Sequence, residues 1–274
     1  MSNPDYLLGH ADRELARLKA QELRIGPFTR QLFTLAGVGP GMHVMDVGSG
    51  AGDVAILAAD LVGPAGSVTG VDIAATAVAQ ARSRIKALGL TQVLFRHGDP
   101  GELAYDRPFD AIVGRYVLLF QADAAEMLRK LAHHLRPGGV IAFHEPDWSF
   151  VRSTPPAPFY DRCCRRMIDT MERAGTGMNM SAKLYDVFTT AGLPPHSMRM
   201  QAVIGGADSA SDWLNAVAEF AITLLPSMER LGVISAADKA EMNADTLAAR
   251  LHRDVATAGS VVIGRAEIGA WSRV

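Results

Sequence analysis

The sequence predicts an α/β fold built on a parallel sheet, and three observations carry that expectation. From Met42 to Phe143 short β-branched runs alternate with longer helical patterns, the arrangement that repeated strand-helix units produce. Three glycines, Gly48, Gly50 and Gly52, sit between the first of those strands and the helix after it. The chain has 274 residues, 49% hydrophobic and 20% charged, enough to bury a substantial core in one α/β domain with helical additions.

Taken in order, residues 1–40 read as a helix, a break at "IGPF", and a second helix over "TRQLFTLAGV" closed by "GPG". Strands are expected at "HVMDV", "SVTGVD", "VLFRHG", "FDAIVG" and "VIAFHE". The helices between them begin near Asp53, Ala74 and Ala122, with Val54, Leu57, Ala58 and Leu61 forming one apolar face. "RPGG", Arg136 to Gly139, is expected to stop the third helix and turn into the fifth strand. Beyond Trp148 the proline-rich "STPPAPF" leads into a helix rich in arginine and methionine and then a glycine-containing loop. A helix over "AKLYDVFTTAGL" and a sixth strand, "SMRMQAVIG", follow. Two long helical stretches then cross Ser211 to Ala258, and "AEIGAWSRV" alternates like a final strand.

With six parallel strands and an antiparallel last one, the insertions at about 148–180 and 207–260 leave the carboxyl ends of strands five and six. Ligands bind along that edge in open α/β sheets, so the insertions are expected to form a helical cap. Residues 1–40 would be N-terminal helices covering the ligand site, and 41–274 the core with its cap.

Lys and Arg number 27 against 29 Asp and Glu, a formal net charge of -2, and no basic run breaks the balance. Nucleic acid is therefore not an expected partner. The start "MSNPDYLLGHADRE" lacks a signal-peptide pattern, and no uninterrupted apolar segment is long enough to span a bilayer, so neither a membrane partner nor a secreted location is expected. The two cysteines, Cys163 and Cys164, are adjacent, a spacing that suits packing in a reducing, cytoplasmic compartment better than a disulfide. Homo-oligomer formation is left open.

The glycine loop has two common ligands, a pyrophosphate dinucleotide or S-adenosylmethionine. In "VMDVGSGAGDVA" the glycines fall at positions one, three and five, and Asp53 takes the sixth, where a dinucleotide fingerprint wants glycine for close helix packing. Asp46 adds a second acid at the strand end. Two carboxylates are unfavourable beside a pyrophosphate and favourable beside S-adenosylmethionine, which has no phosphate and carries an ammonium and a sulfonium. Asp72 ends the second strand, about twenty residues on, where an acid accepts from both ribose hydroxyls of either ligand. Ile73 is expected to pack on the adenine, with Gly98, Asp99 and Pro100 at the third strand end and Asp99 accepting from the adenine amino group. The backbone at Gly114 and Arg115 would run past the methionine part, with the Arg115 guanidinium able to bind its carboxylate bidentately.

The stretches "VMDVGSGAGDVA", "VTGVDIA", "FRHGDP", "FDAIVGRYVLLF" and "LRPGGVIAFHEPD" together resemble the successive motifs of class I S-adenosylmethionine-dependent methyltransferases, over about residues 40–147. The resemblance implies a Rossmann-like seven-stranded sheet with an antiparallel last strand. It implies a methionine-side loop at Asp46, Gly48, Ser49 and Gly50, a ribose acid at Asp72 and an adenine contact at Asp99. Within that family the chain is similar to the small-molecule branch related to ubiquinone and menaquinone biosynthesis methyltransferases. The helical insertions are less typical of that branch, and its quinone substrate is not carried over.

Several residues carry two readings. Asp53 suits an N-cap better than a cofactor contact. "HEPDW" gathers His144 and Glu145, either of which would accept a proton during methyl transfer, or the segment is a locally hydrogen-bonded turn. No metal site is expected, since His144, Glu145 and Asp147 match no standard ligand spacing. Tyr6, Tyr116, Trp148, Met167 and Met171 are candidate substrate contacts, and the methionines equally suit ordinary core. The resulting expectation is methyl transfer to a small, largely apolar metabolite in a capped pocket. The alternatives are another reaction of the same cofactor, such as cyclisation or decarboxylation, and a non-catalytic cofactor- or metabolite-binding protein.

Overall fold

The computed structural model describes residues 12–195 and 197–274, with side chains from residue 23 onward. Tyr6 lies outside the described residues. The chain divides into two compact units: a sheet unit of Ile25–Pro146, Met180–Met200 and Glu267–Val274, and a helical unit that includes Asp147–Asn179 and Gln201–Ala266.

The described chain opens with α1 (Asp12–Ala36), which continues through Pro27. The break expected at "IGPF" is absent from the helix. Proline removes one backbone bond, but the turns after it are held by packing: Phe28, Leu32, Phe33 and Ala36 are buried, and a side chain at Gly269 would lie 2.3 Å from Leu32. Strand β1 (His43–Val47) and helix α2 (Asp53–Val62) flank the glycine loop. They are followed by β2 (Ser67–Asp72), α3 (Ala75–Leu88), β3 (Val93–His97) and β4 (Phe109–Arg115). A short 3-10 turn at Leu118–Phe120 leads to α4 (Ala124–Ala132) and β5 (Leu135–Asp147). "RPGG" therefore lies inside the start of β5, not at the end of a helix. Phe109 pairs with Leu135 and Ala111 with Val140, so the segment forms an irregularity in the ladder, a use of Gly-rich sequence that bends a strand without ending it.

Helix α5 (Pro158–Arg173), preceded by the short β6 (Arg152–Thr154), lies in the helical unit. Helix α6 (Met180–Thr190) returns to the sheet unit. Strand β7 (Ser197–Gly205), helices α7 (Ser211–Arg230), α8 (Ala236–Glu241) and α9 (Leu247–Thr257), and β8 (Val261–Arg273) complete the described chain. Three helices thus occupy the region read as two.

The strand order is β3-β2-β1-β4-β5-β8, with β7 also paired to β8. The first five strands are parallel neighbours, and the terminal strand runs antiparallel. The seven expected strands are present, and β6 is an eighth, antiparallel to the start of β8, with Arg152 opposite Ile263. One face of the sheet is covered by Val54, Ala58 and Val62 of α2, Val78 and Ala81 of α3, and Leu32 and Phe33 of α1, all in one buried cluster with Val44, Val68 and Val113.

The helical unit has its own core, in which Trp148, Tyr160, Met167, Trp213, Leu224 and Leu251 are buried together. Its polar groups are satisfied locally. Trp213 Nε1 donates to Tyr160 Oη at 2.8 Å, and Asp254 of α9 accepts the amides of Phe159 and Tyr160 at the start of α5, as an acid does at a helix N-terminus.

Candidate functional site

β1 is flanked by β2 and β4, and its last four residues, Val44 to Val47, are fully buried. Asp46 therefore projects from a central strand with no exposed surface. Both of its carboxylate oxygens, and the Ser49 hydroxyl, are buried without a hydrogen-bond partner among the described residues. Burial pushes the Asp46 carboxyl well above the usual carboxylate range. The Arg115 charge opposes that shift, and the Ala55 amide acts in the same direction as Arg115 without reaching normal hydrogen-bond geometry. Buried polar groups are nearly always paired, and Asp46 and Ser49 are the exceptions among the described residues.

The three glycines of the loop after β1 share one conformational demand, and two of them add a packing demand. Gly48, Gly50 and Gly52 all have positive φ, +63°, +50° and +91°, a region that bulky residues avoid. A Cβ at Gly48 would stand 2.8 Å from Val117 Cγ2, and one at Gly52 2.8 Å from Phe95 Cζ. A Cβ at Gly50 would meet nothing within 4 Å. Gly48 and Gly52 are thus fixed by packing, and Gly50 presents bare backbone to open space.

Asp72, at the end of β2, ties this loop down: its Oδ2 accepts the Gly50 amide and its Oδ1 the Ala74 amide, both at 2.8 Å. Each oxygen retains a further acceptor site. Ile73 beside it is 65% exposed, a large apolar side chain at the edge of the sheet. At the end of β3, Gly98 donates to the Asp72 carbonyl, Pro100 is buried, and Asp99 accepts the Gly101 amide at 2.8 Å in a tight turn. Asp46, Gly48, Ser49, Gly50, Asp72, Ile73, Gly98, Asp99 and Pro100 therefore gather at the carboxyl ends of three adjacent strands. Asp53 is not an N-cap. Gly52 occupies the cap position without a side-chain bond, and Asp53 begins the helix and pairs with Arg84.

The ends of β4 and β5 carry a second polar group. Arg115 donates to Thr29 Oγ1 at 3.2 Å. Tyr116 has φ +60°, its amide donates to the His144 carbonyl, and its hydroxyl donates to Glu267 Oε2 at 2.6 Å. His144 is fully buried, with Nδ1 3.0 Å from Thr29 Oγ1 and Nε2 2.9 Å from the same Glu267 oxygen. Glu145 serves the backbone: its carboxylate accepts the amides of Val117, Leu118 and Leu119 at 3.0, 2.8 and 3.3 Å. Burial outweighs those three donors and pushes its pKa up to about 8. Glu145 thus holds the turn after β4, the hydrogen-bonded alternative that "HEPDW" offered beside a proton-accepting role.

Trp148, Met167 and Met171 belong to the core of the helical unit. Trp148 stacks on Phe220 at 5.5 Å and lies under Arg265. For the two methionines the structure supports ordinary core packing, and the reason is their almost complete burial among other apolar side chains. Glu267 was not flagged by the sequence. Its signal was an acid interrupting the apolar alternation of "AEIGAWSRV".

An open parallel sheet with a glycine loop after its first strand and acids ending its first two strands defines a Rossmann-like protein that binds its ligand at the carboxyl edge. A methyltransferase-domain family model matches residues 39–192, more than half of the chain, and the chain belongs to that family. It is 33% identical over 113 residues to a demethylmenaquinone methyltransferase of Bacillus cytotoxicus, covering 41% of this chain and 48% of that protein. It is 36% identical over 123 residues to an aklanonic acid methyltransferase of a Streptomyces species, covering 44% and 55%. The chain thus spans about half the length of the curated relatives it matches. Among solved structures, the geranyl diphosphate C-methyltransferase of Streptomyces coelicolor superposes with a TM-score of 0.54 at 16% identity, over 90% of this chain and 75% of that one, a likeness of fold.

Proposed function

We propose that the chain is an S-adenosylmethionine-dependent methyltransferase acting on a small, largely apolar metabolite. The observation that carries the reading is Asp46: a buried carboxylate with no hydrogen-bond partner among the described residues, beside a Ser49 hydroxyl in the same condition and a glycine with nothing described within 4 Å of its Cβ position. A cationic, phosphate-free ligand fits that donor and acceptor set, and a pyrophosphate does not. Asp46, Gly48, Ser49 and Gly50 would hold the methionine part, Asp72 the ribose, and Ile73, Gly98, Asp99 and Pro100 the adenine. When bound, the cofactor's sulfonium supplies an electrophilic methyl carbon.

The protein's contribution is alignment and exclusion of water, since an in-line displacement is accelerated chiefly by holding the two reactants in register. Asp72 fixes the loop through Gly50 and Ala74, and Glu145 fixes the turn after β4 through three amides. Both loops are then set before any ligand arrives, which lowers the ordering cost of binding. Segments of the helical unit follow β5 and β7 in the chain, and this connectivity supports the reading of a capped substrate pocket. Family membership and two relatives named for small molecules support the substrate class.

Among the described residues no helix is long and apolar enough to cross a membrane. Incubation with methyl-labelled cofactor and a host extract tests the reading. The expected result is a labelled metabolite with one equivalent of S-adenosylhomocysteine; binding of cofactor with the label retained on it in every extract overturns it.

A further inference from the structure

Two side chains from distant parts of the sheet unit converge on one oxygen of a third. Tyr116 Oη and His144 Nε2 both lie on Glu267 Oε2, at 2.6 and 2.9 Å. Tyr116 is the one non-glycine residue with positive φ among the described residues, a conformation a bulky side chain adopts only when its surroundings enforce it. Tyr116 is half-buried, and it immediately precedes Val117, whose Cγ2 stands against Gly48 of the glycine loop. The sequence places the tyrosine at the ligand edge, and Glu267 fixes its hydroxyl there.

Thr29 Oγ1 accepts from Arg115 at 3.2 Å, and its one proton points either to the Ile25 carbonyl at 3.1 Å or to His144 Nδ1 at 3.0 Å. In the first case the imidazole donates through Nδ1, in the second it accepts there. Either way the 2.9 Å contact between Nε2 and Glu267 contains a proton: an imidazole that accepts at Nδ1 carries its proton on Nε2, and one that donates at Nδ1 meets the carboxyl through a shared proton. The pair takes its second hydrogen bond from Tyr116. Because the Tyr116 proton is committed to Glu267, any further bond its oxygen makes is made as an acceptor.

We propose that Tyr116 receives the hydroxyl of the methyl acceptor, that Glu267 and His144 are positioning residues acting through it, and that the acceptor is a phenol or enol. The proposal rests on the methyl-transfer reading above. As the acceptor oxygen bonds to the methyl carbon, the carbon-sulfur bond breaks and its electron pair neutralises the sulfonium. The acceptor's proton passes to Tyr116 Oη while the Tyr116 proton passes to Glu267 Oε2, and product release returns it to solvent. The positive charge lost from sulfur is thereby carried by the carboxyl-histidine pair, so the site's net charge does not change. Tyr116 ends the relay with the proton count it began with, so the net transfer runs from the acceptor to the carboxyl-histidine pair, and an acidic phenol or enol gives up that proton most readily. From an aliphatic alcohol the same transfer is harder by several pK units, which is why the acceptor is assigned as phenolic or enolic.

The test compares wild type, Tyr116→Phe and Glu267→Gln as full-length chains. Calorimetry with S-adenosylhomocysteine is expected to give affinities within about threefold of wild type for both variants. Nitrogen-15 NMR of His144 in the wild type is expected to show an Nε2 resonance shaped by a proton shared with Glu267, and a changed Nε2 resonance in Glu267→Gln. Labelled-methyl transfer to 2-naphthol and to host-extract hydroxyls is expected to fall at least 100-fold in kcat for Tyr116→Phe, with cyclohexanol unreactive throughout. An Nε2 resonance unchanged in Glu267→Gln, a Tyr116→Phe enzyme as fast as wild type, or no hydroxyl methylation by a chain that binds S-adenosylhomocysteine overturns the proposal. Absence of S-adenosylhomocysteine binding by the wild type removes instead the reading on which it rests.

Discussion

Replacing Gly50 by alanine separates the fold's demands on the glycine loop from the ligand's. The added Cβ meets nothing within 4 Å, so the variant carries no clash. It carries only the penalty of an L-residue at φ +50°, about 1–2 kcal/mol. For a domain of this size that is a fall in Tm of roughly 2–8 °C. The Gly50 amide still reaches Asp72, because the backbone bond does not involve the new methyl. If the open face of Gly50 is where the ligand's backbone contact lies, the same methyl occupies ligand space and lowers cofactor affinity by tenfold or more, about 1.4 kcal/mol at least. Titration calorimetry with S-adenosylhomocysteine, paired with thermal unfolding, reads both quantities. Gly48→Ala is the control, since its Cβ would stand 2.8 Å from Val117 Cγ2 and its main effect falls on stability. An affinity for Gly50→Ala within twofold of wild type, in a protein that unfolds cooperatively, refutes the placement of the ligand.

Three further outcomes are expected. Asp72→Asn retains an acceptor for one of the two amides now bound to the carboxylate and is expected to lose about tenfold to 100-fold in cofactor affinity; unchanged affinity by calorimetry removes the ribose assignment. Asp46, whose folded pKa is raised by burial, is expected to release a proton when a cationic ligand binds. The binding enthalpy should then vary with the buffer's ionisation enthalpy in wild type and lose that component in Asp46→Asn. Glu145 titrates at about 8 in the folded chain against an ordinary 4.5, so the native state binds the extra proton between those values. Stability attributable to it is full below about pH 4.5, declines as pH rises towards 8 and is flat above. The decline corresponds to about 1.4 kcal/mol per pH unit at most. Glu145→Gln should flatten the denaturation midpoint over that window; an equally steep profile in the variant contradicts the assignment.

The parts of this molecule legible in its sequence are those whose causes are local. β1, β2 and β7 coincide with the runs "HVMDV", "SVTGVD" and "SMRMQAVIG" because each is an extended apolar or β-branched stretch bounded by turn residues. The glycine loop and the acids at Asp46 and Asp72 were legible for the same reason, lying within a short strand-turn-helix span. Pro27 misled because burial of Phe28, Leu32 and Phe33 overrides its local effect on the helix. "RPGG" misled because its glycines shape an irregular strand pairing that depends on Phe109. Glu145 and His144 are adjacent and chemically alike as proton acceptors, yet one faces three amides and the other a carboxylate. Only tertiary structure distinguishes them. Glu267 lies 123 residues from His144 and 151 from Tyr116, and no local pattern ties an acid in the last strand to groups so far back in the chain.

At the centre of these predictions, the carboxyl edge of β1 and β2 binds a phosphate-free nucleoside that carries an ammonium group. Parallel calorimetric titrations of the wild-type chain with S-adenosylhomocysteine and with NAD test it most directly. Saturable binding of S-adenosylhomocysteine at one site per chain, with no heat from NAD, is the predicted result. Saturable binding of NAD, or of neither ligand, contradicts it.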